Sequence, residues 1–239
     1  ADCYIHMVLD GQDWKSAIHR HENGPERGFI RRILERYREL GYTYLRDGGD
    51  RWGVGKSARE IAGEYGIVYR TPLAPLCRKG HYGCFIGLGY ENFREYAALV
   101  ADARKQGADF IKIMISGLMD FDRFGVLTEE GLLPEEIREL IHIAHEEGFA
   151  VMAHANGART VEAAALAGLP YRQQTDTDYL NALADGLLAL GAKAVVITGI
   201  HLKDNAIGFY GKKQSGEPFC YQGSYIPRQF HGTGDLFAA

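Results

Sequence analysis

The chain has 239 residues, of which 46% are hydrophobic, 24% charged and 11% aromatic. This is the composition of an ordinary globular protein, and it excludes a disordered chain, a collagen and a coiled coil. The formal net charge is −4, so the chain has no basic bias toward nucleic acid or an anionic membrane.

The first 155 residues alternate short apolar runs with helical patterns. Five strands are predicted, at Tyr4–Leu9, Thr43–Arg46, Ile67–Arg70, Phe110–Ile115 and Ala150–Ala153. Apolar residues at helical spacing predict helices between these strands. The β-α-β-α rhythm, at roughly 30–40 residues per unit, predicts an α/β fold with a parallel sheet, either a barrel or a doubly wound sheet.

The later part of the chain has a different pattern. A helix is predicted at Asp178–Leu190, followed by an apolar strand at Lys193–Ile200 that we expect to add one parallel strand. Two antiparallel strands are predicted near Ala206–Lys212 and Pro218–Ile226, with a turn at 215–217. A lone β-hairpin does not suit the second half of a plain (β/α)8 barrel. The change from one pattern to the other falls in the helical stretch 160–168.

Three residues that can take part in metal chemistry lie on or next to predicted strands. They are His6 in the first strand, Lys112 in the fourth and His154 at the end of the fifth. Two histidines can share a divalent metal ion, and a lysine among apolar residues is more readily neutral. A neutral lysine can react with carbon dioxide to form a carbamate, which is an oxygen ligand. Alternatively, each histidine is a hydrogen-bonded structural residue, and Lys112 pairs with Asp120 or Asp122.

With these three residues, segments 41–49 and 127–131 resemble the amidohydrolase superfamily, which hydrolyses C–N bonds with metal ions on a (β/α)8 barrel. The resemblance covers about residues 1–160. It implies that His6 is the second histidine of the first-strand pair, that carbamylated Lys112 bridges two metal ions, and that His154 is the fifth-strand ligand. It also implies divalent metal, with zinc as the expected ion, and a small-molecule amide as substrate.

The sequence departs from this family at several ligand positions. Tyr4 stands where the family has its first histidine, and a phenol with a pKa of about 10 is a poor zinc ligand unless ionised. His201 matches the sixth-strand histidine by position only, and Asp235 is a poor match to the eighth-strand aspartate. The predicted site is therefore incomplete, and its activity is in question.

A second resemblance covers about residues 161–239. Segments 169–173, 191–199 and 230–235 resemble the pyridoxamine/pyridoxal kinases of the ribokinase-like family. The glycine-rich turn Gly232, Thr233 and Gly234 predicts a helix start whose backbone N–H groups attract phosphate oxygens. The resemblance implies Asp235 as catalytic base, Thr198 and Gly199 near the nucleotide, and ATP with magnesium as cofactors. Alternatively, Asp235 only stabilises a helix dipole.

We therefore expect a partial (β/α)8 TIM-barrel-like parallel sheet in residues 1–160, completed by a ribokinase-like αβ segment with a β-hairpin in residues 161–239. The two parts form two domains or one composite domain. The two resemblances meet in the helical stretch 160–168, and each covers only part of its family's fold, which suggests a chimera. The leading hypothesis for function is a metal-dependent amidohydrolase. The alternatives are a non-catalytic engineered or artefactual chimera and a fragment of an ATP-dependent pyridoxal kinase.

The expected partners and location follow from the same features. No apolar run approaches the ~20 residues of a membrane span, and no nucleic-acid partner is expected. Open strand edges suggest a homo-oligomer. Four scattered cysteines (Cys3, Cys77, Cys84 and Cys220) without a CxxC pair predict reduced thiols, and so a cytoplasmic protein.

Overall fold

The computed structural model describes residues 1–120, 122–123, 126–156, 176–189, 193–200 and 206–224. By their contacts, the described residues up to 156 form one compact unit, and those from 176 onward form a second. Within these ranges, no helix is long and apolar enough to cross a membrane.

The first unit alternates strands with helices, as the sequence predicts. Its strands are β1 (Asp2–Ile5), β2 (Tyr44–Asp47), β3 (Val68–Arg70), β4 (Leu76–Arg78), β5 (Leu88–Tyr90), β6 (Ile111–Met114) and β7 (Val151–His154). Its helices are α1 (Trp14–His19), α2 (Arg27–Glu39), α3 (Val54–Ala62), α4 (Phe93–Lys105) and α5 (Pro134–Glu146), with a 3₁₀ turn at Gly63–Tyr65.

The described strands of this unit form two parallel sheets. One has the order β1-β2-β3 and the other the order β5-β4-β6-β7. The predicted α/β class with parallel strands is therefore confirmed, and the described strands make open sheets rather than a closed barrel. β1 ends at Ile5, four residues before the predicted end at Leu9. Strands β4 and β5 were not predicted.

The helices of the first unit begin at recognisable caps. The Glu26 side chain accepts a hydrogen bond from the Phe29 N–H at the start of α2. Asn92 caps α4 in the same way, and α5 begins with Pro134, whose fixed φ suits the first helical position. The amphipathic α2 buries Phe29, Ile30 and Leu34 on one face.

The core of the first sheet holds the loop after β2 in place. Ile5 and Leu45 from the strands pack in one cluster with Ile30 and Leu34 of α2 and Ile61 of α3. Burial of such aliphatic side chains supplies about 1.5–3 kcal/mol each. Because α3 is packed on the sheet, the segment between β2 and α3 has a fixed path past the end of β1.

Asp50 completes this loop by capping α3. Its carboxylate accepts hydrogen bonds from the backbone N–H groups of Trp52, Val54 and Gly55 at 2.8–3.0 Å. These donors would otherwise lack a partner at the helix start. The motif Gly53-Val54-Gly55-Lys56-Ser57, which is like a phosphate loop, therefore has these helix-start donors filled by a side chain of the chain itself.

The second unit is an antiparallel sheet with one helix. Its described elements are α6 (Thr177–Ala189), β8 (Ala194–Ile200), β9 (Ala206–Lys213) and β10 (Phe219–Ser224), with the strand order β10-β9-β8. The two hairpin strands lie close to their predicted positions. The expectation of a parallel strand at 193–200 is wrong for the pairing observed, because β8 pairs antiparallel with β9. Leu180 and Ala184 of α6 pack with Val195 and Tyr210 of the sheet.

Candidate functional site

His6 lies directly after β1, against the loop that follows β2. A Cβ atom on Gly48 would overlap the His6 ring, so only glycine leaves room for the ring here. Nδ1 of His6 lies 3.3 Å from the carbonyl oxygen of Gly49. Gly49 has a φ of +82°, which glycine adopts without strain. Because a carbonyl only accepts, Nδ1 donates, and the neutral ring keeps the lone pair of Nε2.

Lys112 lies in β6 and is 1% exposed. Its Nζ atom is 4.2 Å from the centroid of the Tyr4 ring, which is a cation–π contact. The Tyr4 ring is also 5.4 Å from the His6 ring, edge to face. Tyr4 therefore contacts two of the three predicted ligands.

His154 ends β7, where it pairs with Met114 at the end of β6. Its Nε2 atom lies 3.0 Å from the Asn156 side-chain amide nitrogen, which also donates to the Gly117 carbonyl at 3.0 Å. The backbone N–H of Asn156 donates to the Ser116 hydroxyl at 2.7 Å. These bonds fix Asn156 beside His154 and direct an amide N–H at Nε2.

Burial and the charge of Lys112 act on both histidines. Burial lowers the pKa of His6 to about 4, and the charge of Lys112 and the neighbouring His154 add to this effect. Burial also lowers the pKa of His154 to about 4, again with a contribution from the charge of Lys112. Both imidazoles are therefore neutral at pH 7, which is the form that binds a metal ion.

The two imidazoles of His6 and His154 supply only part of the ligand set of one divalent ion. Catalytic zinc sites commonly have three protein ligands and one open position, and two neutral imidazoles with a carbamate on Lys112 would supply three. Ligation through Nε2 of His154 requires the Asn156 amide to move away from that atom. No group of three or more His, Cys, Asp or Glu side chains suited to a metal ion occurs in the described part of the chain. A second ion would need further ligands.

Several predicted site residues lie outside the described residues. They are His201, Gly232, Thr233, Gly234 and Asp235. Thr198 and Gly199 lie in β8, and only their backbone is described. The predicted general base, phosphate-binding turn and nucleotide contacts therefore stay predictions.

The expectation that all four cysteines are reduced is wrong for one pair. Cys77 at β4 and Cys84 in the following loop form a disulfide, with Cα atoms 5.7 Å apart. Cys3 and Cys220 are free. Because the two sulfur atoms of the pair are bonded to each other, they are not thiolate ligands for a metal ion. The disulfide instead closes the loop that carries Tyr82.

The alternative pairing of Lys112 with Asp120 competes with another ion pair, because Asp120 already pairs with Arg123 at 2.7 Å.

Two neighbours of His154 come from outside the predicted site. The Tyr82 ring lies 4.9 Å from the His154 ring, and Asn156 forms a hydrogen bond with the same histidine. Neither was assigned a role from the sequence. Asn156 follows His154 by two residues, which is the one signal that could have drawn attention to it.

No protein-family model matches the chain, and no curated protein matches it. Among solved structures, the chain is similar to an uncharacterized protein at 20% identity and a TM-score of 0.56, over 77% of this chain and 50% of that chain. It is similar to A. niger ochratoxinase at 20% identity and a TM-score of 0.54, over 77% of this chain and 49% of that chain. The chain spans about half the length of these structures, and the likeness shows a shared fold.

A pyridoxal kinase from Lactobacillus plantarum is similar at 17% identity, over 59% of this chain and 47% of that chain. Its TM-score is 0.36.

Proposed function

We propose that the protein is a metal-dependent hydrolase that cleaves the amide C–N bond of a small substrate. The observation that supports this proposal is that the Tyr4 ring contacts both His6 and Lys112, while the charge of Lys112 contributes to the lowered pKa of both His6 and His154, whose imidazoles are neutral at pH 7. The amide class comes from the sequence resemblance to the amidohydrolase superfamily. The shared fold with ochratoxinase supports it.

In this proposal, His6 and His154 hold one divalent ion, and carbamylated Lys112 is the third ligand. The ion supplies Lewis-acid chemistry, which polarises an amide carbonyl and lowers the pKa of water. The Gly49 carbonyl orients the His6 ring by accepting the Nδ1 proton, as carbonyls do next to metal-binding histidines. Asn156 holds Nε2 of His154, and this hydrogen bond would have to break for the atom to bind an ion.

Tyr4 weakens this site in two ways. It replaces a histidine ligand with a phenol, and its ring face lies against the Lys112 ammonium group. We therefore propose that the chain holds fewer ions than the two-metal sites the sequence resembles, and that its activity is low. Changing Tyr4 to histidine supplies the missing imidazole.

The first experiment measures the metal content of protein grown with zinc or manganese and with bicarbonate, by elemental mass spectrometry. We expect about one ion per chain in the wild type and a loss of that ion in His6→Ala and His154→Ala. His142→Ala is the matched control, because the side chain of His142 on α5 is 60% exposed and lies outside the site. Tyr4→His should raise both the metal content and the rate of hydrolysis of N-acyl amino acids.

A metal-free wild type that unfolds cooperatively would contradict the proposal, provided that Tyr4→His is also metal-free. The non-catalytic composite protein would then be the better hypothesis. Metal bound equally by His154→Ala and by the wild type would also contradict it, because the ion would then lie elsewhere.

A further inference from the structure

Four aromatic rings form a continuous row that ends at the candidate metal ligand His154. Successive ring centroids are 5.4 Å apart for Trp14 and Phe85, 5.7 Å for Phe85 and Tyr82, and 4.9 Å for Tyr82 and His154. All three spacings lie in the range of favourable aromatic pairs. We call Trp14, Phe85 and Tyr82 the aromatic row.

The row runs from solvent to the site. Trp14, at the start of α1, is 50% exposed. Phe85 is partly buried against the core of the first sheet. Tyr82 is partly buried against His154, and this burial raises the pKa of its hydroxyl. The row therefore extends from an exposed ring to the candidate ligand.

The part of the row nearest the site is held in a fixed position. The Cys77–Cys84 disulfide closes the loop that carries Tyr82. The backbone N–H of Tyr82 donates to Glu129 at 2.7 Å. A Cβ atom on the next residue, Gly83, would lie 2.6 Å from the Met114 side chain, so the loop packs tightly on β6. Three separate contacts thus hold the Tyr82 ring against the site before any substrate binds.

We propose that the aromatic row is the subsite for an aromatic group of the amide substrate. This inference rests on the proposed function, since the scissile amide would lie at the His154 end. Aromatic rings stack on one another by offset or edge-to-face contact, and a preformed row provides this contact without reordering side chains. Beside Tyr82, Glu129 is already engaged, because it accepts from the Tyr82 N–H and lies 3.6 Å from Nδ1 of His81. At the exposed end, Nζ of Lys15 lies 5.5 Å from the centroid of the Trp14 ring. We expect the rings to supply the preference for an aromatic group over an aliphatic one.

The test compares two ligands that differ by one phenyl ring, N-acetyl-phenylalaninamide and N-acetyl-alaninamide. Their binding to the purified protein is measured by NMR titration, without any need for turnover. We expect the phenyl compound to bind roughly tenfold more tightly to the wild type. Trp14→Leu and Phe85→Leu should each lose most of this preference. Phe93→Leu is the matched control, because Phe93 is an exposed phenylalanine on α4 that is not part of the row, and it should keep the preference.

Equal binding of both ligands by the wild type would overturn the inference, as would a preference that survives in both row variants. Because Trp14 is half exposed, Trp14→Leu should fold normally, and thermal melting checks this. The Trp14→Leu measurement therefore tests the inference even if Phe85→Leu is unstable. If the wild type and Tyr4→His are both metal-free and the wild type still prefers the phenyl ligand, the proposed function is refuted and the subsite stands. Amide hydrolysis with equal binding of both ligands would support the proposed function and overturn the subsite.

Discussion

Asp47 is a buried carboxyl group at the end of β2, next to the glycines that position His6. Its Oδ1 atom accepts from the Met7 N–H at 3.3 Å, and its Oδ2 atom accepts from the Thr71 hydroxyl at 3.2 Å. Burial, and then the charge of Asp50, raise the pKa of Asp47 from 3.8 to about 7. We expect Asp47→Asn to increase the free energy of unfolding at pH 8 and to decrease it slightly at pH 4.

The magnitude follows from the two pKa values of Asp47. The folded protein holds this proton more tightly than the unfolded chain, so the contribution of Asp47 to stability is fully present below pH 3.8 and is lost as the pH rises through 7. At 1.36 kcal/mol per pKa unit, that loss is about 4 kcal/mol. Asparagine carries no charge and avoids the loss, but its amide fits the Thr71 hydroxyl less well, at a cost of about 1 kcal/mol. The net gain at pH 8 is about 3 kcal/mol.

Urea unfolding of wild type and Asp47→Asn between pH 4 and pH 8 measures this difference. His6 and His154, whose pKa values are lowered to about 4, destabilise both proteins as the pH falls below 6.5, so their effect cancels in the comparison. Asp102→Asn is the matched control, because it makes the same change of side chain at an exposed position on α4. A difference between wild type and Asp47→Asn that is constant across this range would refute the electrostatic reasoning.

Three further predictions concern the supports of the site. Gly48→Ala should displace the His6 ring and lower metal affinity by roughly tenfold or more, measured by calorimetric zinc titration; unchanged affinity would show that the ring has room to move. Asp50→Ala should lower the free energy of unfolding by about 2 kcal/mol, because three helix-start N–H groups lose their acceptor, and urea denaturation checks it. Replacing both Cys77 and Cys84 by serine should cost about 2 kcal/mol for a loop this short, and the reduced wild type should unfold at the same urea concentration as the variant.

Much of the first unit could be predicted from the sequence, because its strands are apolar runs separated by periodic helices. The five predicted strands are all present, with ends shifted by a few residues. Strands β4 and β5 are three residues each, too short to show a periodic pattern. The predicted parallel pairing of β8 was wrong, because an apolar run predicts a strand but not its partner. The partner here is the hairpin strand β9, which runs antiparallel to β8.

The candidate site divides in the same way. The sequence places His6 and Lys112 in predicted strands and His154 at the end of one, and their sharing of one metal site stays a prediction. The contacts of these residues could not be predicted, because their partners come from loops distant in sequence. Tyr82 reaches His154 across 72 positions of the chain (154 − 82). The Cys77–Cys84 bond depends on a Cα separation of 5.7 Å that spacing alone does not give.

Tyr4 links the departure in sequence to the chemistry of the site. The face of a phenol ring attracts a cation and repels an anion, and the Tyr4 ring centroid is 4.2 Å from Nζ of Lys112. Under the proposed function, the ring therefore opposes the carbamate on Lys112 as well as replacing one histidine ligand. On that proposal, Tyr4→His should raise metal binding by more than the addition of a single imidazole would provide.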